Sequence, residues 1–154
     1  MEGLSVIDQT NETPHAEHYY SEEPQTPSSP SRIAIDLFDE QVNLWTDHGV
    51  FSRHALDRGS ELLIKAAYDD LTKCDRSLDV LDLGCGYGPV GILLAKHLPK
   101  LKLHFSDINQ RACALTKQNI KEQRIQADVR QGPGLEPWDD MTFDVILLNP
   151  PIRI

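Results

Sequence analysis

A glycine-rich turn with a carboxylate in front of it is the part of this sequence best suited to hold a small molecule. Gly84, Gly86 and Gly88 remove three side chains from one tight turn, so a ligand can approach the main chain closely. Asp82 precedes the turn, and its carboxylate suits an ammonium group better than a pyrophosphate. Pro89 stands where the nicotinamide-dinucleotide fingerprint has its third glycine, which disfavours such a cofactor.

A second acid, Asp107, ends the next predicted strand. It follows Asp82 by 25 residues, about where an acid reaches the ribose hydroxyls of an adenosine-containing ligand. Capping of the following helix is the alternative role for this side chain. Since Asn109 already suits the cap position, we predict that Asp107 binds the ligand.

Asn149, Pro150 and Pro151 carry a further chemical signal directly after a predicted strand. An amino group conjugated to a purine ring or a carbonyl is a poor nucleophile, because its lone pair is delocalised. If the side-chain oxygen of Asn149 and the carbonyl of Pro150 each accept one N–H, the lone pair points at an electrophilic methyl group. The prolines stiffen the loop that holds this geometry. A rigid turn without chemistry is the alternative, which the glycine turn elsewhere in the chain disfavours.

Strands alternate with helices from residue 60 onward, which predicts an open, Rossmann-like α/β sheet with parallel strands and helices on both faces. Ser60 is the expected N-cap of the first helix. The last strand is apolar on both faces, so we expect it in the centre of the sheet. Ligands bind outside the carboxyl ends of such strands, which brings the glycine turn, Asp107 and Asn149 to one rim. The predicted strands cover 79–83, 101–107, 125–129 and 143–148. The predicted helices are one that is capped by Ser60 and ends before Asp75, one over 89–98, and one over 109–123.

The N-terminal part of the chain differs in pattern from this core. Residues 1–17 are polar, acidic and aperiodic, and we expect a disordered tail there. Residues 18–154 are expected to form one domain, with an incomplete core at 60–154. Alternating apolar residues predict a β-hairpin at 32–46, with Asp39 and Glu40 in its turn.

Composition excludes several classes of protein. The net charge of −9 argues against a broad basic face for nucleic acid, although a local basic patch remains compatible with it. No apolar run is long enough to span a membrane and no secretory signal is visible, so the cytoplasm is the default location. The three cysteines lack metal-ligand spacing, so we expect reduced thiols and no metal. We interpret Cys85 as a small residue that the turn tolerates rather than a nucleophile.

The sequence resembles that of class I S-adenosylmethionine-dependent methyltransferases, and more narrowly the small methyltransferase domain family. The resemblance implies S-adenosylmethionine as the cofactor and a structural role for Asn119. It also implies that Phe51, Ser52 and Asp57 line or order the cofactor pocket. Together with the motif residues, the expected cofactor contacts are Phe51, Ser52, Asp57, Asp82, Gly84, Cys85, Gly86, Gly88, Asp107 and Asn149. The matching segments are 18–24, 49–52, 56–60, 82–88 and 149–153.

The family includes enzymes that methylate the guanine N2 amine of small-subunit ribosomal RNA, so RNA is the expected partner. Ile152 stands where enzymes acting on adenine N6 or glutamine amides usually have an aromatic residue, which favours guanine N2. A protein glutamine methyltransferase and a non-catalytic S-adenosylmethionine- or RNA-binding module remain alternatives. Residues 132–134, Gly-Pro-Gly, replace the acid that often meets the adenine amine, so backbone contacts to adenine are expected.

The family fold has seven strands in its sheet, whereas this sequence ends just after the fourth. The resemblance therefore implies a truncated chain without the C-terminal strands. Residues 145–148 are apolar, so we expect an exposed hydrophobic edge unless a partner covers it.

Overall fold

The computed structural model describes residues 25–50 and 55–150, and within them an α/β fold. The predicted acidic tail at 1–17 lies outside the described residues. The strands are β1 (Ser31–Leu37), β2 (Glu40–Thr46), β3 (Leu78–Leu83), β4 (Leu101–Asp107), β5 (Asp128–Gln131) and β6 (Val145–Leu148). The helices are α1 (Arg58–Leu71), α2 (Pro89–His97) and α3 (Gln110–Glu122), with a 3-10 turn at Glu136–Trp138.

Strands β1 and β2 form the predicted antiparallel hairpin, with Leu37 paired to Glu40. The turn consists of Phe38 and Asp39, one residue earlier than expected, and both have positive φ angles of 53° and 59°. This conformation matches the twist of the flanking strands in a two-residue turn. The hairpin packs on α3, where the buried Asn119 bonds both backbone groups of Trp45. The structural role expected for Asn119 is therefore seen directly.

The main sheet has the order β5-β4-β3-β6, and all its pairs are parallel. The carboxyl ends of its strands consequently share one rim, as the sequence predicts. Helices α2 and α3 connect neighbouring parallel strands in the same direction across the sheet. Because such crossovers are right-handed as a rule, the two helices belong on the same face. Helix α1 packs against α2. On the other face, Trp138 packs edge-on against His104 at 5.7 Å between ring centroids.

Several element boundaries differ from the sequence prediction, and two of them have a clear local cause. Helix α1 begins at Arg58, and its N-cap is Asp57 rather than Ser60, because the Asp57 carboxylate accepts the Ser60 N–H at 3.0 Å. Strand β5 begins at Asp128 rather than residue 125. Helix α3 ends at Glu122, and it is followed by Arg124 with a φ of 57° and by an Ile125 N–H···O bond to Ile120, so the chain starts pairing with β4 only afterwards.

The position of β6 corrects the expectation of a central strand. Within the described residues β6 lies at one edge of the sheet and pairs only with β3. Its outward residues Ile146 and Leu148 are 46% and 52% exposed. The apolar edge expected at residues 145–148 is therefore present in this part of the chain.

Candidate active site

A cavity of about 390 Å³ opens at the carboxyl ends of the parallel strands. Its size falls within the range of roughly 300–1,000 Å³ that is usual for small-molecule sites. Residues within five parts of the sequence line it, namely 50–60, 82–89, 107–112, 132–134 and 148–150, which is the arrangement that the strand-end argument predicts. The lining residues include Val50, Asp57, Ser60, Asp82, Gly84, Cys85, Gly86, Tyr87, Asp107, Gly132, Leu148, Asn149 and Pro150.

The backbone N–H groups of the glycine turn after β3 are hydrogen-bonded within the protein, mostly to β4. The N–H groups of Gly84 and Cys85 donate to the carbonyl of Ser106 at 2.8 and 2.9 Å. Gly86 and Gly88, both with positive φ, donate to Asp107 and to the Cys85 carbonyl. Because these N–H groups are used inside the protein, the turn does not offer them as a cradle for phosphate.

Asp82 lies at the bottom of the cavity and is 4% exposed. Its Oδ2 accepts the N–H of Gly91, in the first turn of α2, at 3.0 Å. Burial, together with the nearby charge of Asp107, raises the pKa of this carboxyl to about 7, although the hydrogen bond from Gly91 opposes the shift. A cation placed beside Asp82 would restore its charged form.

Asp107 ends β4 and braces two loops of the site. Its Oδ2 accepts the Gly86 N–H and its Oδ1 accepts the Asn109 N–H, both at 2.9 Å. Burial raises the pKa of Asp107 although these bonds oppose the shift. Asn109 is the N-cap of α3, as predicted, and its Oδ1 accepts the N–H of Arg111 at 2.9 Å. Asp107 is thus not the helix cap, and its binding of a ribose stays a prediction.

Asn149 follows β6 and is tied to the start of α1. Its Nδ2 donates to Asp57 Oδ2 and to Ser60 Oγ, both at 2.9 Å. Burial disfavours the charge on Asp57, but hydrogen bonds from Ser60 and Asn149 outweigh it and lower the Asp57 pKa. These residues are 92 and 89 positions apart from Asn149 in sequence, and the fold alone brings them together.

The cavity is strongly acidic. Asp57, Asp82 and Asp107 line it, and none of its described lining residues is Lys, Arg or His. Such a site attracts a cationic ligand and repels a pyrophosphate. Together with the occupied N–H groups of the glycine turn, this charge disfavours a nicotinamide dinucleotide as the ligand.

Most of the predicted site residues that the structure describes share this cavity. Gly88 does not line it, but serves as the left-handed N-cap of α2, with a φ of 91°. Phe51, Ser52 and Pro151 lie outside the described residues. Burial raises the pKa of the Cys85 thiol well above its ordinary value, in agreement with the interpretation that it is not a nucleophile. The predicted residues that line the cavity are Asp57, Asp82, Gly84, Cys85, Gly86, Asp107, Asn149 and Pro150.

Sequence reasoning missed several residues that build the site. Ser60 bonds Asn149, and Gly91 bonds Asp82. Thr116 Oγ1 donates to the Gly86 carbonyl at 2.9 Å, and Tyr87 is a 2% exposed residue lining the cavity. For Gly91 the sequence does contain a local signal, because a glycine in the first helical turn after the glycine loop allows close packing against Asp82. The other three contacts depend on tertiary structure.

Among residues 25–50 and 55–150, no three His, Cys, Asp or Glu side chains are grouped as metal ligands would be. In the same ranges no helix has the length and apolarity that crossing a bilayer requires.

A parallel sheet with a glycine turn after β3, an acid after β4 and an Asn-Pro sequence after β6 defines the class I methyltransferase fold. The family model for the methyltransferase small domain matches residues 41–154. The chain therefore belongs to the methyltransferase small domain family. This membership confirms the predicted fold class and identifies a methyltransferase domain whose cofactor is S-adenosylmethionine.

Relatives and solved structures agree with this assignment. The chain is 36% identical over 140 residues to the Bacillus subtilis (strain 168) protein named "Uncharacterized protein YbxB", covering 90% of this chain and 68% of the relative. It is 34% identical over 132 residues to ribosomal RNA small subunit methyltransferase C of Erwinia tasmaniensis, and the match covers 82% of this chain and 36% of that protein. The chain thus spans about a third of the latter protein.

Among solved structures, the fold is similar to that of the Thermus thermophilus 16S rRNA N2 G1207 methyltransferase in complex with AdoMet and guanosine. The TM-score is 0.74 at 24% identity, over 85% of this chain and 35% of that one. The Pyrococcus abyssi tRNA (uracil-54, C5)-methyltransferase in complex with S-adenosyl-L-homocysteine has a TM-score of 0.58 at 22% identity, over 78% of this chain and 28% of that one.

Proposed function

We propose that this chain carries the catalytic site of an S-adenosylmethionine-dependent N-methyltransferase whose target is an exocyclic amine of RNA, guanine N2 of small-subunit ribosomal RNA. The observation that carries the proposal is Asn149, held at the rim of an acidic cavity with its amide nitrogen bonded to Asp57 and Ser60. With ribosomal RNA as the proposed substrate, we also propose the cytoplasm as the location of the reaction.

The charges of the cavity fit the proposed cofactor. S-adenosylmethionine supplies a methyl group on a sulfonium centre and carries an α-ammonium group, so its methionine end is cationic. Asp82 is the expected partner of the ammonium, because a cation stabilises the charged form of a buried carboxylate. Asp107, at the end of β4, is the expected partner of the ribose hydroxyls. Gly84 and Gly86 leave the turn without side chains where the ligand approaches.

Asn149 and Pro150 act on the nucleophile. Two acceptors, the Asn149 side-chain oxygen and the Pro150 carbonyl, receive the two N–H groups of the target amine and turn its lone pair toward the methyl carbon. Bound S-adenosylmethionine would supply the methyl group to this nitrogen and leave as a neutral thioether, and the methylated nitrogen would release one proton to water. Fixed positions of amine and methyl supply most of the rate gain in such a transfer.

The substrate class rests on the relatives and on one residue. Proteins similar to this chain at 34% and 40% identity are named ribosomal RNA small subunit methyltransferase C. Ile152 follows the two prolines, and an aliphatic side chain there does not stack on a planar target as an aromatic one would. Both observations favour guanine N2 over the amide of a protein glutamine.

The experiment is methyl transfer from radiolabelled S-adenosylmethionine to deproteinised small-subunit ribosomal RNA that lacks its native methyl groups. Label should enter guanine as N2-methylguanine, and Asn149→Ala should abolish most of it. Candidate proteins with an exposed glutamine serve as the competing substrate. Label in protein and none in RNA would favour the glutamine methyltransferase, while cofactor binding without transfer to either would favour a non-catalytic module.

A further inference from the structure

Chemistry dictates which way the Asn149 side-chain amide points. Its partner Asp57 has a lowered pKa and is therefore ionised at neutral pH, so its Oδ2 can only accept hydrogen bonds. The Asn149 atom 2.9 Å from that oxygen must then be the amide nitrogen. The second proton of this nitrogen goes to Ser60 Oγ, also at 2.9 Å. Both donor positions of the amide are thus used within the protein.

The amide oxygen is left for another partner. Oδ1 of Asn149 receives no hydrogen bond from residues 25–50 or 55–150, and it is not among their buried unpaired atoms. Gly59 lies beside it. A Cβ on Gly59 would come within 2.7 Å of this oxygen and 3.2 Å of Asp57 Oδ2. The missing side chain of Gly59 therefore keeps open the space around the free acceptor.

We propose that Asp57 and Ser60 are positioning residues, which act through Asn149 by locking its amide with Oδ1 toward the substrate amine, and that Gly59 keeps this oxygen accessible. The inference builds on the proposed function, because it explains how the acceptor for the target N–H is oriented. The start of α1 thereby becomes part of the transfer site. A rotated amide would present N–H to N–H, and the target amine would lose one acceptor.

The geometry is tested first without any substrate, by NMR of the side-chain amide protons of the isolated chain. Loss of one resonance pair in Asn149→Ala assigns the signal, and exposed Asn43 provides the reference for free exchange. Slow exchange of the Asn149 protons is expected. One proton should exchange faster in Ser60→Ala and recover in Ser60→Thr, which retains the hydroxyl. Exchange as fast as that of Asn43 would overturn the proposal.

The kinetic test is a double-mutant cycle on the RNA methylation assay. Ser60→Ala should lower kcat about 3- to 10-fold, the factor for one neutral hydrogen bond, with little change in the dissociation constant of S-adenosylmethionine. Gly59→Ala should lower kcat more, because its methyl group collides with Oδ1. In an Asn149→Ala background both effects on kcat should vanish. Glu61→Gln, which alters an exposed residue of the same helical turn, is the matched control.

The outcomes separate this inference from the proposed function. If the wild-type chain transfers no methyl to RNA but the NMR result holds, the proposed function fails and the orientation of Asn149 stands. If transfer occurs but Ser60→Ala and Gly59→Ala still lower kcat in the Asn149→Ala background, these residues do not act through Asn149. In that case the positioning role is wrong and the proposed function survives.

Discussion

The carboxylate of Asp82 accepts the backbone N–H of Gly91 at 3.0 Å, across the glycine turn that separates β3 from α2. The Asp82 side chain thus caps the first turn of α2, where a negative charge interacts favourably with the helix dipole. Asp82 is nevertheless buried enough for its pKa to rise to about 7. The unliganded site therefore holds a carboxyl that is partly protonated at neutral pH.

The raised pKa of Asp82 predicts that Asp82→Asn stabilises the unliganded chain. The folded state keeps its proton up to about pH 7, whereas the unfolded state loses it near the ordinary value of 3.8. Asp82 therefore lowers the free energy of unfolding progressively from about pH 4 to pH 7, and its effect is then constant. Urea unfolding of both proteins at pH 4, 6 and 8 checks this. The free energy of unfolding of Asp82→Asn should exceed that of the wild type by an amount that grows with pH.

The same substitution should weaken the binding of S-adenosylmethionine, because the variant has no charge to meet the ammonium group. Isothermal titration calorimetry at pH 7.5 checks this, with Asp144→Asn as control for the loss of an acid outside the cavity. An Asp82→Asn variant that is less stable at pH 8 than the wild type would contradict the pH argument, and unchanged cofactor affinity would contradict the binding role.

Gly91→Ala should destabilise the fold by about 1–3 kcal/mol, the usual cost of an overpacked core. A Cβ at this position would lie 2.3 Å from Cε1 of the fully buried Phe105. The better helix propensity of alanine, about 0.5–1 kcal/mol, offsets only part of that cost. Thermal unfolding measures the effect. Phe105→Leu should restore part of the stability in the Gly91→Ala background. If the double variant instead loses the sum of the stabilities lost by the two single variants, the Gly91 Cβ does not collide with Phe105.

Asn149→Ala and Asp107→Ala should have opposite signatures. Loss of one preorganised acceptor should reduce methyl transfer by about 10²–10³ while cofactor affinity is nearly kept. Loss of the Asp107 carboxylate should weaken S-adenosylmethionine by about 1.5–3 kcal/mol, the range for a charged hydrogen bond. Single-turnover rates at saturating cofactor and calorimetric dissociation constants separate the two effects. Equal losses of cofactor affinity in both variants would contradict the assigned roles.

Asn119→Ala should loosen the hairpin from the domain. The side chain is fully buried, accepts the Trp45 N–H at 2.7 Å, and donates to the carbonyls of Trp45 and Tyr87. Its removal leaves buried backbone groups unpaired, at about 1–3 kcal/mol each. Urea unfolding followed by tryptophan fluorescence should show the loss, whereas Lys121→Ala on the exposed side of α3 should change little. Equal stability of the two variants would refute this role.

Local sequence patterns were sufficient to predict which helices and strands form and where the site lies. The glycine turn after a short apolar strand, and the acids and Asn-Pro-Pro at strand ends, are signals contained within a few residues. They predicted the rim where the cavity lies. Asn109 as the cap of α3 followed from the same local chemistry, since a cap depends on residues one to three positions away.

Boundaries and partners depended on contacts that local patterns do not contain. Ser60 resembles an N-cap, but Asp57 takes that role, and the Ser60 hydroxyl instead accepts a hydrogen bond from Asn149, 89 residues away. Strand β6 has the apolar composition of a central strand, yet in the described part of the chain it lies at an edge. Apolar composition indicates the burial a strand is suited to, whereas its neighbours are set by the whole sheet.

The sequence by itself determined the class of fold, the rim that carries the site and the residues able to do its chemistry, because each depends on periodicity or short spacing. The tertiary structure decided how these residues are connected: Asp82 to Gly91, and Asn149 to Asp57 and Ser60. The two Asn149 pairs form only when the fold brings the end of β6 to the start of α1. The orientation of the Asn149 amide is therefore a property of the folded chain.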